Sequence, residues 1–368
     1  MALTVVIAGG GTGGHLYPGI AVAREILRRD PKASVSFAGT ARGLETRIVP
    51  KEGFELDLIR AAGLKGKSMA SRLRGALLVP AGLVDAWRLL TRRRPDIVIG
   101  VGGYSSGPVV MTAALRRIPT LVLEQNAVPG LTNRLLAPWV RAAAVNFSQT
   151  LSYFGRRGFV AGNPVREEFF QSSEFEARSP TSSNRRVLIL GGSQGAHAIN
   201  VAMVAAAARL VASIPGLEVV HQTGERDLAA VRQGYERGGV SARAEPFFDA
   251  VAREMNAADL VICRAGATTL AELAASGTPA VLIPFPAATD DHQKKNAQVL
   301  ANAGAAVLIE EKSLSPETLS GEALAILSQD ARRQAMGAAM KNFARLDAAA
   351  RITDRVFGLT GRTEGAAS

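Results

Sequence analysis

Ten short runs of apolar, mostly aliphatic residues alternate along the chain with segments of helical periodicity. In the first half these runs lie at 3–10, 34–40, 96–103, 120–126 and 142–148, and in the second half at 186–195, 218–224, 258–266, 279–286 and 305–311. Continuous apolar runs of this length are typical of strands that are buried on both faces. Because helical segments separate them, the alternation predicts an α/β fold with parallel sheets flanked by helices.

The two halves of the chain share one plan. Each opens with a strand, a glycine-rich turn and a helix, reading VVIAGGGTGGH at 5–15 and VLILGGSQGAH at 187–197. Between them, residues 169–186 are polar and rich in serine, which is typical of a linker. We therefore expect two Rossmann-like domains, 1–163 and 164–340, with parallel sheets that face a deep cleft, and a helix at 341–361 that packs back on the first domain. Ligands of such sheets bind at the carboxyl ends of the strands, so the cleft is the expected site.

The composition is that of a folded chain from a reducing compartment. Apolar residues make up 47% and charged residues 20% of the 368 residues, which argues against disorder. The single cysteine, Cys263, allows no disulfide within the chain. The segment MALTVVIAGG lacks the basic and apolar regions of a signal peptide, and the apolar stretch 76–84 is too short to cross a bilayer. We therefore expect a cytoplasmic protein.

The excess positive charge is concentrated in one stretch. The net charge is +11, and residues 60–94 contain nine Lys or Arg against one acid, Asp85, which is a local balance of +8. Bulky aliphatic residues and Trp87 are interleaved with these charges. This combination is more typical of a surface that contacts anionic lipid headgroups than of a nucleic-acid site. A helix with a solvated basic face is the alternative interpretation.

The first glycine-rich turn favours a ligand with phosphate groups. Gly9, Gly11 and Gly14 form a G-x-G-x-x-G pattern between a strand and a helix, where the bare backbone can approach a phosphate. A nicotinamide dinucleotide would also require an acid at the end of the second strand, to hold its ribose. Gly39 and Thr40 stand there instead, which weakens the hypothesis of an oxidoreductase.

A histidine, His15, follows this turn directly, and an imidazole exchanges protons near neutral pH. At the mouth of the turn it could remove a proton from a hydroxyl group, or it could bond a backbone carbonyl at the start of the helix. The spacing of the histidines shows no pattern of metal ligands, so no zinc site is expected. The histidines are His15, His197, His221 and His292.

Polar side chains also follow other predicted strands of the first half. Tyr104 and two serines follow one strand, and Glu124 and Asn126 follow the next. Turn chemistry explains each of these loops alone. Because they belong to one edge of the sheet, together they favour a polar site there.

The second half offers a comparable set of polar groups. Ser193 lies at a helix start, where amide groups suit a diphosphate, and Glu272 lies one turn inside another helix, where it could accept hydrogen bonds from two ribose hydroxyls. Asp290 and Asp291 precede a helix, so helix capping explains them as well as a metal would. Further candidates are Arg166, after a proline-containing turn, and Gln293 and Asn296.

Six motifs, in this order, resemble those of the MurG family of bacterial glycosyltransferases. They are GGGTGGHLYPGIAVA, GVGGYSSGP, EQNAVPGLTN, GNPVR, GGSQGAHAIN and CRAGATTLAELAASGTPAVLIPFP, and the resemblance extends from about residue 3 to about residue 310. It implies a GT-B fold and an inverting transfer of N-acetylglucosamine from UDP-N-acetylglucosamine to the C4 hydroxyl of N-acetylmuramic acid in lipid I. The product, lipid II, serves peptidoglycan synthesis. The resemblance implies no metal and no cofactor.

The resemblance also implies roles for particular residues. His15 would be the general base, and Glu124 would be the second candidate or the group that orients His15. Glu272 would hold the ribose, and the backbone of Phe248 would read the uracil. The remaining substrate-binding residues that it implies are Thr12, Gly13, Gly14 and Asn126 in the first domain and Arg166, Ser193, Ala267, Thr268, Thr269, Leu270, Ala271 and Gln293 in the second.

A lipid-linked acceptor accounts for the basic stretch. Because the undecaprenyl chain stays in the bilayer, the resemblance implies that the first domain docks on the cytoplasmic face of an anionic plasma membrane. It adds cell-wall synthesis and division proteins as candidate partners, and no nucleic acid. The expected membrane contact consists of Lys65, Lys67, Arg72, Arg74, Leu77, Leu78, Leu83, Trp87 and Arg88.

Two other functions stay open on the sequence alone. One is another GT-B transferase that uses a different UDP-sugar or a lipid acceptor such as diacylglycerol. The other is a UDP-N-acetylglucosamine 2-epimerase of the same fold, which would need neither a lipid acceptor nor a membrane-binding face.

Overall fold

The structure is a computed structural model that describes residues 2–11, 13–41, 43–61, 69–170, 184–192 and 195–362, without the side chains of 69–77 and 289. The chain divides into two units, Met1–Val165 with Arg345–Ser368, and Arg166–Ala344. Each unit is built on its own parallel sheet, as the alternation of apolar runs and helical segments predicts.

The strands and helices alternate along both units. The strands are β1 (Thr4–Gly9), β2 (Ser34–Gly39), β3 (Glu55–Leu58), β4 (Ile97–Gly102), β5 (Thr120–Glu124), β6 (Ala142–Val145), β7 (Gly158–Val160), β8 (Arg186–Leu190), β9 (Glu218–Gln222), β10 (Ala242–Glu245), β11 (Leu260–Cys263), β12 (Ala280–Leu282) and β13 (Ala306–Leu308). The helices are α1 (Gly13–Arg29), α2 (Glu45–Lys51), α3 (Met69–Arg93), α4 (Ser106–Leu115), α5 (Leu131–Leu136), α6 (His197–Ser213), α7 (Leu228–Arg237), α8 (Val251–Asn256), α9 (Ala267–Ser276), α10 (His292–Asn302), α11 (Pro316–Leu327), α12 (Asp330–Lys341) and α13 (Ala348–Thr360).

The sheet of the first unit has the strand order β3-β2-β1-β4-β5-β6-β7. The order runs outward in one direction from β1 and in the other from β4, so these two neighbours form the topological switch point, where such sheets bind ligands. The pairing of β1 with β4 shifts register between Ala8, which lies opposite Gly100, and Gly9, which lies opposite Gly102. The two loops that leave this switch point are both rich in glycine.

Both faces of the first sheet are buried. Val5 and Ile7 of β1 lie in one apolar layer, which includes residues of α1, whereas Val6 and Ala8 lie in the opposite layer, which includes residues of α3 and α4. Successive strand residues point to opposite faces. Burial on both sides is therefore the reason that the strand reads as a continuous apolar run.

The last helix of the described chain, α13, completes the core of the first unit. Ile352, Val356 and Phe357 are buried in the same layer as residues of β1 and α1. Burial of each such side chain contributes roughly 1.5–3 kcal/mol. The segment that follows the second unit in sequence is therefore part of the first unit in structure.

The sheet of the second unit has the strand order β10-β9-β8-β11-β12-β13. Its switch point lies between β8 and β11, whose residues Val187–Leu190 pair with Leu260–Cys263 in parallel register. One face is covered by α6 and α11, which contribute Ile199, Met203 and Ile326 to the core. The switch point is followed by α6 after β8 and by α9 after β11, so two helices begin at this edge.

Three strands, β3, β7 and β10, were not predicted from the sequence. Each lies at an edge of its sheet and has only three or four residues. Their burial is partial, because an edge strand such as Glu55–Leu58 has one neighbour and faces solvent. A search for continuous apolar runs finds strands that are buried on both faces, so it misses these edges. Within the described residues, no helix is long and apolar enough to cross a membrane.

Candidate active site

The two loops at the first switch point pack directly against each other. The Gly10 amide donates a hydrogen bond to the Gly102 carbonyl at 3.3 Å. Gly102 and Gly103 have φ angles of +96° and +81°, and a Cβ atom on Gly103 would overlap the Gly10 carbonyl oxygen. Because only glycine accommodates both the left-handed backbone and this close approach, these glycines are needed for loop packing.

The predicted base, His15, lies in the first turn of α1, and its ring faces the β4 loop. A Cβ atom on Gly102 would lie 2.8 Å from Cδ2 and 3.0 Å from Nε2 of His15. Gly13 and Gly14 precede it in the same turn. Thr12, which the sequence also proposes for this site, lies outside the described residues.

The other candidate base, Glu124, is buried at the end of β5 and is 3% exposed. One carboxylate oxygen accepts hydrogen bonds from the Asn126 amide at 3.0 Å and its Nδ2 at 3.1 Å, and the other accepts from the Gly130 amide at 3.1 Å and Asn133 Nδ2 at 2.9 Å. Burial raises the pKa of Glu124, and these hydrogen bonds oppose that rise. This carboxylate therefore organises the loop that carries Asn126.

Two serines at the start of α4 add polar groups near the same edge. The hydroxyl oxygens of Ser105 and Ser106 are buried without a hydrogen-bond partner in the described parts of the chain. Unsatisfied buried hydroxyls are uncommon in native proteins and call for an explanation. The Ser106 hydroxyl faces β4, since a Cβ atom on Gly100 would lie 2.6 Å from its Oγ.

A buried carboxylate that the sequence did not predict, Glu45, lies under the first glycine-rich turn. It is 1% exposed and accepts hydrogen bonds from the Gly11 amide at 2.8 Å and the Thr40 amide at 2.9 Å. A dinucleotide-binding chain would carry an acid at the end of the second strand, where this chain has Thr40. The only signal in the sequence is that an acid, Glu45, follows five residues later. That signal does not reveal the contact, because Gly11 and Glu45 are 34 residues apart.

In the second unit, α9 begins at the switch point with Gly266 as its N-cap. The first-turn amides of an α-helix have no acceptor within the helix, so this end favours anionic groups. Ala267, Thr268 and Thr269 occupy that turn, and the Leu270 amide bonds to the Gly266 carbonyl at 3.0 Å. Leu270 is buried, and Ala271 follows it within the helix. Ser193, which the sequence also proposes for this site, lies outside the described residues.

On α9, Glu272 is partly buried and close to two charged groups. Burial raises the pKa of Glu272 to about 7, Arg166 opposes that rise, and Glu168 adds to it. Arg166 pairs with Glu168 at 2.8 Å and stacks over Phe169 at 5.2 Å. The structure therefore brings Arg166 and Glu272 into one electrostatic environment, with a carboxyl group that titrates near neutral pH.

Two further candidates, Gln293 and Phe248, are held by backbone hydrogen bonds. Gln293 Oε1 accepts from the Phe285 amide at 2.9 Å, which leaves its Nε2 group as a donor for a ligand. The Phe248 amide donates to Gln222 Oε1 at 3.1 Å, and Phe248 is 3% exposed. Only the carbonyl of Phe248 is thus suited to the N3–H group of a uracil ring. The sequence did not indicate Gln222.

A chain of buried hydrogen bonds supports the start of α6. His221 Nε2 lies 3.0 Å from Asn200 Oδ1, and His221 Nδ1 lies 2.7 Å from the Tyr235 hydroxyl. Asn200 Nδ2 donates to Asp227 Oδ2 at 2.9 Å, and His197 Nδ1 lies 3.0 Å from the same oxygen. Because an amide oxygen only accepts, His221 carries its proton on Nε2 and accepts from Tyr235.

The acidic pair Asp290 and Asp291 adopts left-handed φ angles of 53° and 55° at the start of α10. Within the ranges that the structure describes, no group of three or more His, Cys, Asp or Glu side chains is arranged to hold a metal ion. Asn296, on α10, is buried and donates to the Ala265 carbonyl at 3.4 Å, so it ties this helix to the loop before α9.

Comparisons with known proteins agree with this architecture. Models of the glycosyltransferase family 28 N-terminal and C-terminal domains match residues 5–145 and 186–352. The UDP-N-acetylglucosamine--N-acetylmuramyl-(pentapeptide) pyrophosphoryl-undecaprenol N-acetylglucosamine transferase of Anaeromyxobacter sp. (strain K) is 45% identical over 99% of this chain and 94% of its own length. The protein of the same name from Geobacter sulfurreducens is 42% identical over 98% of this chain and all of its own.

Among solved structures, MurG of Acinetobacter baumannii matches with a TM-score of 0.81 and 28% identity, over 97% of this chain and 99% of that chain. A UDP-GlcNAc 2-epimerase from Neisseria meningitidis, bound to UDP-GlcNAc, matches with a TM-score of 0.69 over 97% of this chain and 100% of that chain, but at 12% identity. The second likeness shows a shared fold alone.

The two parallel-sheet units and the domain matches define the class of protein, a glycosyltransferase with the GT-B fold. The relatives match nearly the whole chain at more than 40% identity. The chain belongs to the MurG family within glycosyltransferase family 28, so the resemblance and the fold class inferred from the motifs are confirmed.

Proposed function

We propose that the protein transfers N-acetylglucosamine from UDP-N-acetylglucosamine to the C4 hydroxyl of N-acetylmuramic acid in lipid I, which yields lipid II for peptidoglycan synthesis. The observation that carries this proposal is the 45% identity, over 99% of the chain, to a relative named for the same transfer. Likeness to 2-epimerases is confined to the fold, so that alternative has weaker support.

The second unit supplies the donor-binding groups in this proposal. The N-termini of α6 and α9 carry amides suited to the UDP diphosphate. Glu272 accepts hydrogen bonds from the ribose hydroxyls, the carbonyl of Phe248 accepts from the uracil, and Gln293 donates to the sugar. Arg166 stabilises the negative charge that grows on UDP as it leaves.

The first unit supplies the base. The C4 hydroxyl of the acceptor attacks the anomeric carbon, its proton passes to His15, and the anomeric carbon–oxygen bond breaks with its electrons going to UDP. Attack from the face opposite UDP inverts the anomeric centre. Glu124 acts indirectly, because its carboxylate is committed to the loop of Asn126.

We also propose that the first unit docks on an anionic membrane through α3 and the C-terminal end of its neighbour α4. On α3, Trp87 is 56% exposed, Val84 is 47% exposed and Arg88 is exposed, whereas Leu78 and Leu83 are partly buried. Arg116 stacks over Trp87 at 4.8 Å. Lys65 and Lys67, and the side chains of Arg72, Arg74 and Leu77, lie outside the described residues.

Turnover with a soluble lipid I analogue tests the transfer. We expect release of UDP and formation of the disaccharide from UDP-N-acetylglucosamine, with His15→Asn reducing kcat by roughly 10²–10⁴-fold, the usual contribution of a general base. Preference for UDP-glucose or UDP-galactose, or formation of an epimerised UDP-sugar without acceptor, would contradict the proposed function. Wild-type kcat in His15→Asn would contradict only the choice of base.

A further inference from the structure

The carboxylate of Glu45, at the start of α2, is a buried anion with several donors. Besides the amides of Gly11 and Thr40, the Thr40 hydroxyl donates to it at 2.8 Å. Burial raises the pKa of Glu45, but the hydrogen bonds outweigh this and hold it below its usual value. Glu45 is therefore ionised at neutral pH. A buried charge of this kind requires a complete set of partners, and the backbone provides them.

Three glycines enclose this carboxylate. A Cβ atom on Gly10 would lie 2.5 Å from Cδ of Glu45, and one on Gly39 would lie 2.6 Å from its Cγ. A Cβ atom on Gly43 would overlap Oε2 of Glu45. Real Cβ atoms do not approach this closely, so these glycines are required by Glu45. Within the first glycine-rich turn, the contact with Glu45 therefore explains why residue 10 is a glycine.

Contacts connect Glu45 to His15 through the backbone of the two loops. Glu45 bonds to Gly11, and the neighbouring Gly10 amide bonds to the Gly102 carbonyl. Gly102 in turn lies against the His15 ring. Because packed loops have few alternative arrangements, the position of the first turn determines the space in which His15 lies.

We propose that Glu45 is a positioning residue of the transfer reaction: it acts as a built-in anion that holds the first glycine-rich turn against the β4 loop and thereby positions His15. Because the Gly11 amide donates its hydrogen bond to Glu45, this amide does not donate to a phosphate group. The inference rests on the role of His15 in the proposed function.

Removal of the carboxylate and its chemical replacement test this inference. We expect Glu45→Ala to lower kcat by about 10–100-fold, because a misplaced catalytic group costs up to roughly 10²-fold in rate. The KM for UDP-N-acetylglucosamine should stay within about twofold, because its binding groups are in the second unit. Acetate, which matches the deleted group, should restore kcat, whereas chloride at equal ionic strength should not. Glu52→Ala, at the other end of α2, is the matched control and should respond to neither salt.

A second variant separates positioning from folding. In Glu45→Gln the amide group faces either Gly11 or Thr40 with a donor where an acceptor is needed, so hydrogen exchange at one of these amides should accelerate. Wild-type kcat in both variants, or a loss of kcat with unchanged exchange and no effect of acetate, would overturn the inference. The exchange measurement needs no substrate. If the wild-type protein transferred no sugar, the proposed function would fail, and exchange would still show whether Glu45 holds the turn.

Discussion

Glu272 has a carboxyl group whose protonation is coupled to ligand binding. Its pKa of about 7 results mainly from burial, with Arg166 opposing the rise. In the proposed complex, two ribose hydroxyls would donate to the ionised form and lower the pKa again. In the free protein, ionisation of Glu272 is therefore unfavourable, and binding of the donor would make it more favourable.

Two pH dependences follow for Glu272. Since the pKa in the folded state lies above the usual 4.5, the stability contribution of this group is complete below about pH 4.5 and is lost as the pH rises through 7. Glu272→Gln should therefore raise the free energy of unfolding at pH 8 by about 1–2 kcal/mol and leave it unchanged near pH 4.5. Urea unfolding at both pH values measures this.

The affinity for UDP should increase with pH, whereas the stability contribution of Glu272 decreases with pH. Affinity of the wild-type protein should fall as the pH drops from 8 to 6, because the neutral acid accepts hydrogen bonds less strongly. Glu272→Gln should bind UDP more weakly at pH 8 and show only the titration of UDP itself. Titration calorimetry with both proteins makes the comparison. Equal affinities at pH 8 would refute a ribose contact.

At the level of elements, the hydrogen bonds of His221 join β9, α6 and α7. His221 is on β9, Asn200 is on α6 and Tyr235 is on α7, and all three side chains are buried. Burial lowers the pKa of His221 to about 3, so the ring is neutral at physiological pH. The network fixes the start of α6, which the proposed function assigns to the diphosphate.

Acid should destabilise the second unit through this histidine. Because the folded pKa is depressed, its stability contribution is complete above the usual 6.5 and is lost as the pH falls from 6.5 toward 3, by roughly 1.4 kcal/mol per pH unit. His221→Gln can still accept from Tyr235 and donate to Asn200, so it should reduce the loss between pH 7.5 and 5.5. Urea unfolding of the wild type and of His221→Gln at both pH values measures the difference. An unchanged pH dependence in His221→Gln would exclude His221 as its cause.

The individual strands and turns also show how much of the fold could be predicted from the sequence. Central strands such as Val5–Ala8 could be identified, because burial on both faces leaves a continuous apolar run. The edge strands β3, β7 and β10 could not, because they lack a continuous apolar run, whereas the edge strand β13 lies within the apolar run 305–311 and was predicted. The glycine-containing turns that precede His15 and Glu272 were predicted from glycine patterns after strands. Glu45 was not, because its partners are backbone amides that only the folded chain brings to it.

For the whole molecule, the net charge of +11 and its local excess favour association with an anionic surface. Each basic residue near such a surface contributes about 1 kcal/mol, so several together give reversible docking. The exposed aromatic and aliphatic side chains of α3 add an apolar contribution. The affinity should decline with salt, since the electrostatic part is screened.

Vesicle binding tests this docking face. The double change Trp87→Ala with Arg88→Glu should weaken binding to vesicles that contain phosphatidylglycerol by about tenfold or more, since charge reversal alone removes roughly 2 kcal/mol. Activity on a soluble acceptor analogue should persist. Arg237→Glu, an exposed arginine of the second unit, is the matched control. Vesicle binding equal to that of the wild type would reject this face.

The position of α13 also bears on how the molecule is made. The ribosome synthesises the chain from its N-terminus. The apolar layer that covers β1 therefore cannot be completed by Ile352 and Val356 until the whole of the second unit has been synthesised. The second unit has no such dependence, since its residues are contiguous. The half that is translated first is therefore the half that matures last, and a premature stop near the 3′ end of the message would damage the unit encoded at its beginning.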